Sequence, residues 1–212
     1  GDVFGWGSDE NSELSGHSTK RIDRPRKLNI RTKIKSVACG HGFTLALSWN
    51  GTVWGRGSNR RGQLGLRSIQ LATEFREMDM FREQRNATVS IVAAGEAHSA
   101  IVDANSGACF VLGDNSHDQL GIDDLHKSCT NRPTRVSHDV VDVSCSNRAT
   151  ALVTRGGCCV VSGCFGEFAC KTFTSIADAN HDVASVECGH EHSILLTSAR
   201  TVLTFGKGWA AC

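Results

Sequence analysis

The chain has no long apolar run. Its hydrophobic stretches last only a handful of residues, too few for a membrane-spanning helix. It also has no basic-then-apolar leader of the secretory kind, so the compartment expected from sequence is intracellular, cytoplasmic or nuclear. Ten cysteines are present without a single C-x-x-C pair, and adjacent Cys158 and Cys159 are poor candidates for bonding each other. Reduced, structural cysteines are expected, with no metal and no cofactor. A net charge of +1 argues against a nucleic-acid binder that uses its whole surface. There is no G-x-x-x-x-G-K-[ST] phosphate loop and no recognisable catalytic constellation, so the chain is not expected to be an enzyme. Only two prolines occur, Pro25 and Pro133, both read as lying in segments that join one unit to the next.

What remains is globular in character: 212 residues, 40% hydrophobic and 21% charged, enough for one large core or two small ones. The chain opens on Gly1 rather than methionine, and it is read as a piece of a longer protein.

Two interleaved series of short motifs organise the sequence. GDVFGWG (1–7), GTVWGRG (51–57), GACFVLG (107–113), GCCVVSG (157–163) and RTVLTFG (200–206) end on glycines spaced 50, 56, 50 and 43 residues apart. VACGHGFTLAL (37–47), VAAGEAHSAIV (92–102), VSCSNRATALV (143–153) and VECGHEHSILL (186–196) fall between them in constant order. A third element, GQLG with Gly62, Gln63 and Gly65 and DQLG with Gln119 and Gly121, follows the first series, and SELSG (12–16) and GEFAC (166–170) are eroded versions of it. Each unit reads as strand, glycine break, strand, hairpin, strand, with Asn50-Gly51 supplying two positive-φ positions for a type I′ turn. Antiparallel units of about 40 to 50 residues are the signature of propeller blades. A single repeat domain over 1–212 is expected, with units near 1–50, 51–106, 107–156 and 157–199 and a partial one over 200–212.

The register also reads the cysteines. Cys39, Cys145 and Cys188 share a repeat position with Ala94, and Cys109 and Cys159 share one with Val3, Val53 and Val202. A metal ligand does not interchange with alanine or valine, whereas a small packing residue does. In ECGHEHS, Cys188, His190 and His192 accordingly read as one packing thiol, one variable residue and one structural imidazole rather than a zinc site. Cys164 and Cys170 flank the GEFA loop, a spacing that allows them to come close in space.

VAAGEAHSAIV, with Gly95, His98 and Ser99, paired with GTVWGRGSNRRGQLG from Gly51 to Gly65, resembles the repeat of the regulator of chromosome condensation family. The resemblance spans essentially the whole chain and is weakest at SCSNRATALV, where Ser146 replaces glycine and Ala149 histidine. It implies an all-β fold, a β-propeller with about four blades of a seven-bladed ring, so that more blades, in cis or from another chain, are needed to close it. Gly40, Gly95, Gly189, His98 and His192 become structural repeat positions, along with the glutamines and glycines of the third element. The resemblance implies a non-catalytic scaffold whose loops bind a protein partner. The alternative is nucleotide exchange on a Ran-like small GTPase with chromatin association. Members of the family also serve as ubiquitin-ligase modules, ciliary scaffolds, mitochondrial assembly factors and a UV-B photoreceptor, but the stacked G-W-R-H-T stretch of the last is missing although Trp6, Trp49, Trp54 and Trp209 are present.

The stretch from Lys20 to Lys35 carries Lys20, Arg21, Arg24, Arg26, Lys27, Arg31, Lys33 and Lys35 against Asp23 alone. Read as a link entering the next unit, it is expected on one face of the disc, as a docking patch for an acidic protein surface, a nucleic-acid backbone or anionic lipid. Exchange would call on acidic loop residues, for which Glu96, Asp114, Asp118, Asp123 and Asp124 are candidates. FREMDMFREQR (75–85) reads as loop variation with a helical turn, and the sequons at Asn50 and Asn86 are set aside.

Overall fold

The computed structural model describes residues 1–14, 21–80, 88–123, 128–176 and 182–207. Its strands form five antiparallel sheets in chain order. The first pairs β1 (Phe4–Ser8) with β2 (Arg21–Lys27). The second orders β3 (Ile34–Gly40), β4 (Phe43–Ser48), β5 (Val53–Ser58) and β6 (Leu71–Glu77) as a meander. The third repeats this with β7 (Val89–Ala94), β8 (His98–Asp103), β9 (Cys109–Asp114) and β10 (Cys129–Ser137). The fourth has β11 (Val140–Cys145), β12 (Ala149–Thr154), β13 (Cys159–Phe165) and β14 (Phe168–Ser175). The fifth has three strands, β15 (Val183–Cys188), β16 (His192–Thr197) and β17 (Val202–Gly206). The first strands of successive sheets neighbour one another, so β3, β7, β11 and β15 form the inner edge of a partial propeller. Motif positions 51, 107, 157 and 200 fall at the hairpin before the third strand of each sheet, half a blade from the sheet boundaries.

The cores lie between sheets. Phe43, Leu45, Leu47 and Val53 of the second sheet meet Val89, Ile101 and Leu112 of the third. Ala100, Val102, Cys109 and Val111 meet Val140, Val143 and Leu152. Ala149, Ala151, Val153 and Cys159 then meet Val183, Val186 and Leu195. Each large side chain so buried contributes about 1.5–3 kcal/mol, and every blade depends on its neighbour for cover. The two end sheets show the converse. On β16, Ser193, Leu195 and Thr197 are buried while Ile194 and Leu196, whose counterparts in the complete blades are fully buried, are 42% and 41% exposed. Phe4 and Trp6 on β1 are likewise exposed.

The outer strands β2, β6, β10 and β14 were not read from the sequence, and they change several local assignments. Pro25 and Pro133 lie inside β2 and β10 rather than in links. Both strands are outermost, and their pairing skips over the proline, so the missing N–H removes no ladder bond. Phe75, Arg76 and Glu77 belong to β6, residues 79 and 80 begin a helical turn, and 81–85 lie outside the described residues, as does the Asn86 sequon. The Asn50-Gly51 turn is not type I′. Gly51 has φ +81 but Asn50 does not adopt positive φ. Gly51 N–H donates to Ser48 O and Ser48 N–H to Thr52 O, which is a three-residue loop closed by a left-handed glycine. The last hairpin repeats it with Arg200 at φ +64 in the glycine's place.

Cys109 and Cys159 are fully buried, and Cys145 and Cys188 pack against the inter-sheet cores. Cys39 differs: it is exposed, with Val37. The inner-strand cysteine points toward the preceding sheet, which among the described residues consists of β1 and β2. Cys164 and Cys170 do not come together. Cys164 pairs with Ala169 and Cys170 with Gly163, so their side chains leave opposite faces of β13 and β14.

Candidate interaction surface

The recurring motif residues are consumed by the joints between blades. Thr44 Oγ1 donates to Glu13 O (3.3 Å), Ser99 Oγ to Gln63 O (2.8 Å) and Thr150 Oγ1 to Gln119 O (2.7 Å). Each time, the hydroxyl after the G-x-x-H histidine position captures the carbonyl of the Q-L-G glutamine, or its Glu13 equivalent, in the preceding blade. Loop shape is fixed from within: Asp9, Asn59 and Asn115 accept the backbone N–H of Leu14, Leu64 and Leu120 at 2.8, 2.8 and 2.9 Å, seating those leucines in the core. Gln63 and Gln119 cap their own loops through the N–H of Arg61 and His117. Gly62 (φ +88), Gly65 (φ +62) and Gly121 (φ +59) shape the same turns. At the fourth sheet the loop shrinks to the Gly166-Glu167 turn between β13 and β14, and Ser193 Oγ, the next hydroxyl in the series, is buried without a hydrogen-bond partner among the described residues.

The glycine of G-x-x-H has a steric reason. A Cβ on Gly95 would stand 2.2 Å from the His98 ring and 2.4 Å from Ser146 O of the next blade, and one on Gly40 would meet Phe43 and Gly95 O. Gly189 in turn faces the His192 ring.

His98 is fully buried. Because the Thr150 hydroxyl gives its single proton to Gln119 O, it accepts from His98 Nε2–H at 3.0 Å, which fixes the imidazole tautomer across the blade joint. Burial pushes the His98 pKa down to about 4, against the partial opposition of the Ala149 carbonyl and the Asp114 charge. His192 occupies the same repeat position but is exposed, since no sheet follows to cover it among the described residues. Cys188 is partly buried and His190 is exposed beside Glu191, and among the described residues no group of three His, Cys, Asp or Glu side chains is placed to hold a metal.

The basic stretch is spread over three successive segments. Arg21, Arg24, Arg26 and Lys27 are exposed on rim strand β2, whereas Lys35 sits on inner strand β3 and exposed Arg31 and Lys33 lie between them. Arg21 pairs with Asp23 and Lys27 with Asp2, both at 2.8 Å. Lys20 lies outside the described residues, as do Asp124, Trp209 and Cys212. The acidic candidates are equally dispersed in role. Asp114 is buried and its Oδ2 accepts from Ser116 and Gln119, Asp118 holds a turn at φ +60, Glu96 is half-buried and Asp123 is exposed.

The structure adds a surface that sequence reasoning missed. The loop after β5 and the start of β10 in the next blade enclose a groove of about 380 Å³ carrying Arg60, Arg61, Arg67 and Arg132. Arg132 is remote in sequence from the other three, and only the blade joint brings them together.

Face-packed sheets joined through an inner edge, and locked by one hydroxyl-to-carbonyl bond at each of three junctions, define a partial β-propeller of repeated blades. Residues 1–47 and 106–153 match one model of the Regulator of chromosome condensation (RCC1) repeat and residues 34–63 a second, between them just over half of the chain. The chain belongs to this family. It is 29% identical to human Protein RCC2 over 98% of its own length and 36% of that protein's. It is also 29% identical to the dog X-linked retinitis pigmentosa GTPase regulator over 97% and 27% respectively. The structure of Prp20p from Saccharomyces cerevisiae, studied with its binding to Gsp1p and histones, superposes with a TM-score of 0.78 at 18% identity, covering 97% of this chain and 54% of Prp20p. The chain thus spans about a third of the curated relatives it matches, and slightly over half of that solved propeller.

Proposed function

We propose that this chain is a non-catalytic interaction module whose loop surface binds a protein partner. One observation carries the reading: the histidine, hydroxyl, glutamine and glycine positions of the repeat are spent on blade joints and loop caps, which leaves the variable loop residues as the groups free to meet a partner. Rigid scaffolds with variable loops bind in this way. Further blades, from the longer protein or from a second chain, cover the apolar end faces at Phe4, Trp6, Ile194, Leu196 and Val202. The setting is intracellular, cytoplasmic or nuclear, which the histone and Gsp1p binding named for Prp20p supports.

Guanine-nucleotide exchange on a small GTPase, with chromatin association, is the second reading. It is favoured by the name of the GTPase-regulator relative and by the Gsp1p binding of Prp20p. Interferometry with the immobilised full chain separates the two. A scaffold binds a GTPase or histone partner equally with and without nucleotide, whereas an exchange factor prefers the nucleotide-free GTPase. Strong selectivity for the nucleotide-free form would overturn the scaffold reading.

A further inference from the structure

The arginine groove has the features of a binding site rather than a solvated rim. Its cations are all arginine, whose planar fork matches a carboxylate or phosphate with two parallel bonds. The carboxylates beside it are engaged: Asp114 Oδ2 accepts from Ser116 and Gln119 while its Oδ1 stands 3.6 Å from Arg61 Nε, and Asp79 Oδ2 accepts from Arg67 N–H at 2.8 Å. Arg60 and Arg132 are exposed, and among the described residues neither guanidinium meets a carboxylate. The walls are rigid. Gly62 packs so closely on Asn131 that a Cβ would lie 2.6 Å from its Cα, Asn59 N–H bonds Gln70 O at 2.7 Å, and Thr130 Oγ1 ties back to the Arg132 backbone. A site held in shape before binding loses little ordering entropy when filled.

We propose that this groove binds an extended acidic peptide segment, with Asp or Glu carboxylates seated on Arg60, Arg61 and Arg132. The inference deepens the interaction-module reading and rests on it. A recess of about 380 Å³ admits a single chain and its side chains but not a double helix. Leu66 and Ile69 are the large apolar residues of its lining, which among the described residues has no aromatic ring for bases to stack on, so single-stranded nucleic acid lacks its usual platform there.

The test is fluorescence anisotropy of a labelled oligoglutamate peptide with the full chain, with single-stranded DNA of equal charge as competitor. The Arg60→Ala/Arg132→Ala variant is compared with Arg24→Ala/Arg26→Ala, which removes the same charge from the rim. Both pairs are exposed, so melting temperatures are expected to match wild type. The proposal predicts peptide affinity about tenfold weaker or more in the groove variant and within about twofold of wild type in the rim variant. Unchanged affinity in the groove variant would overturn the proposal and leave the module reading intact, because the chain would still bind elsewhere. Failure of the wild-type chain to bind the peptide would also overturn it. DNA that binds more tightly through the same arginines would assign the groove to phosphate instead.

Discussion

Removing the Thr150 hydroxyl is the sharpest perturbation of the blade joints. Thr150→Val keeps the shape of the side chain but deletes the donor to Gln119 O and the acceptor for His98 Nε2–H, both on the preceding blade. His98 is fully buried, and so is Gln119. No water reaches the orphaned groups, and each unsatisfied buried partner costs about 1–3 kcal/mol, so destabilisation of about 2–4 kcal/mol is expected. Ser193 is the internal control. It holds the same repeat position, is equally buried, and stands opposite Cys188 with no hydrogen-bond partner among the described residues. Ser193→Ala is therefore expected within about 0.5 kcal/mol of wild type, or slightly more stable. Urea unfolding of the full chain followed by circular dichroism reads both. Equal costs for the two substitutions, or a Thr150→Val cost below about 0.5 kcal/mol, would refute the claim that the hydroxyl-to-carbonyl bond locks the blades.

Other consequences can be measured directly. With its folded pKa near 4 and an unfolded value near 6.5, His98 binds its proton in the unfolded state first, so stability falls as pH drops through that window, by about 3 kcal/mol in total. His98→Phe, the change already present as Phe43 in the preceding blade, should remove that part of the pH dependence in unfolding curves. Gly95→Ala drives a methyl into Ser146 O and the His98 ring and should cost about 1–3 kcal/mol or more by thermal denaturation. Arg200→Gly relieves a left-handed residue at φ +64 in an exposed hairpin and should raise stability by about 0.5–1 kcal/mol. Thiol labelling should modify Cys39, exposed although desolvation raises its pKa, well before Cys109, whose pKa burial pushes up to about 12 and which stays unreactive until unfolding.

The blade glycines and inner strands were legible in the sequence because burial imposes them periodically: Val92, Val143 and Val186 recur in one register and all pack between sheets. The outer strands were not, because RIDRPRK and FACKTFTS face water along the rim and lack apolar alternation. The blade phase was hidden because a period has no origin until hydrogen bonds choose which strands pair. Cys39 reads from the repeat as a packing thiol, yet its partner surface is a property of the preceding sheet. The arginine groove was invisible for a related reason. Arg60 and Arg61 sit inside a loop motif whose shape masks their role, and Arg132 joins them only through the contact of Gly62 with Asn131.

The measurement that bears most directly on the central claim is release of fluorescent GDP from purified small GTPases in the presence of the full chain. An interaction module predicts release at the intrinsic rate even where a stable complex forms. Release accelerated in proportion to chain concentration, for any GTPase tested, would contradict the account and establish exchange.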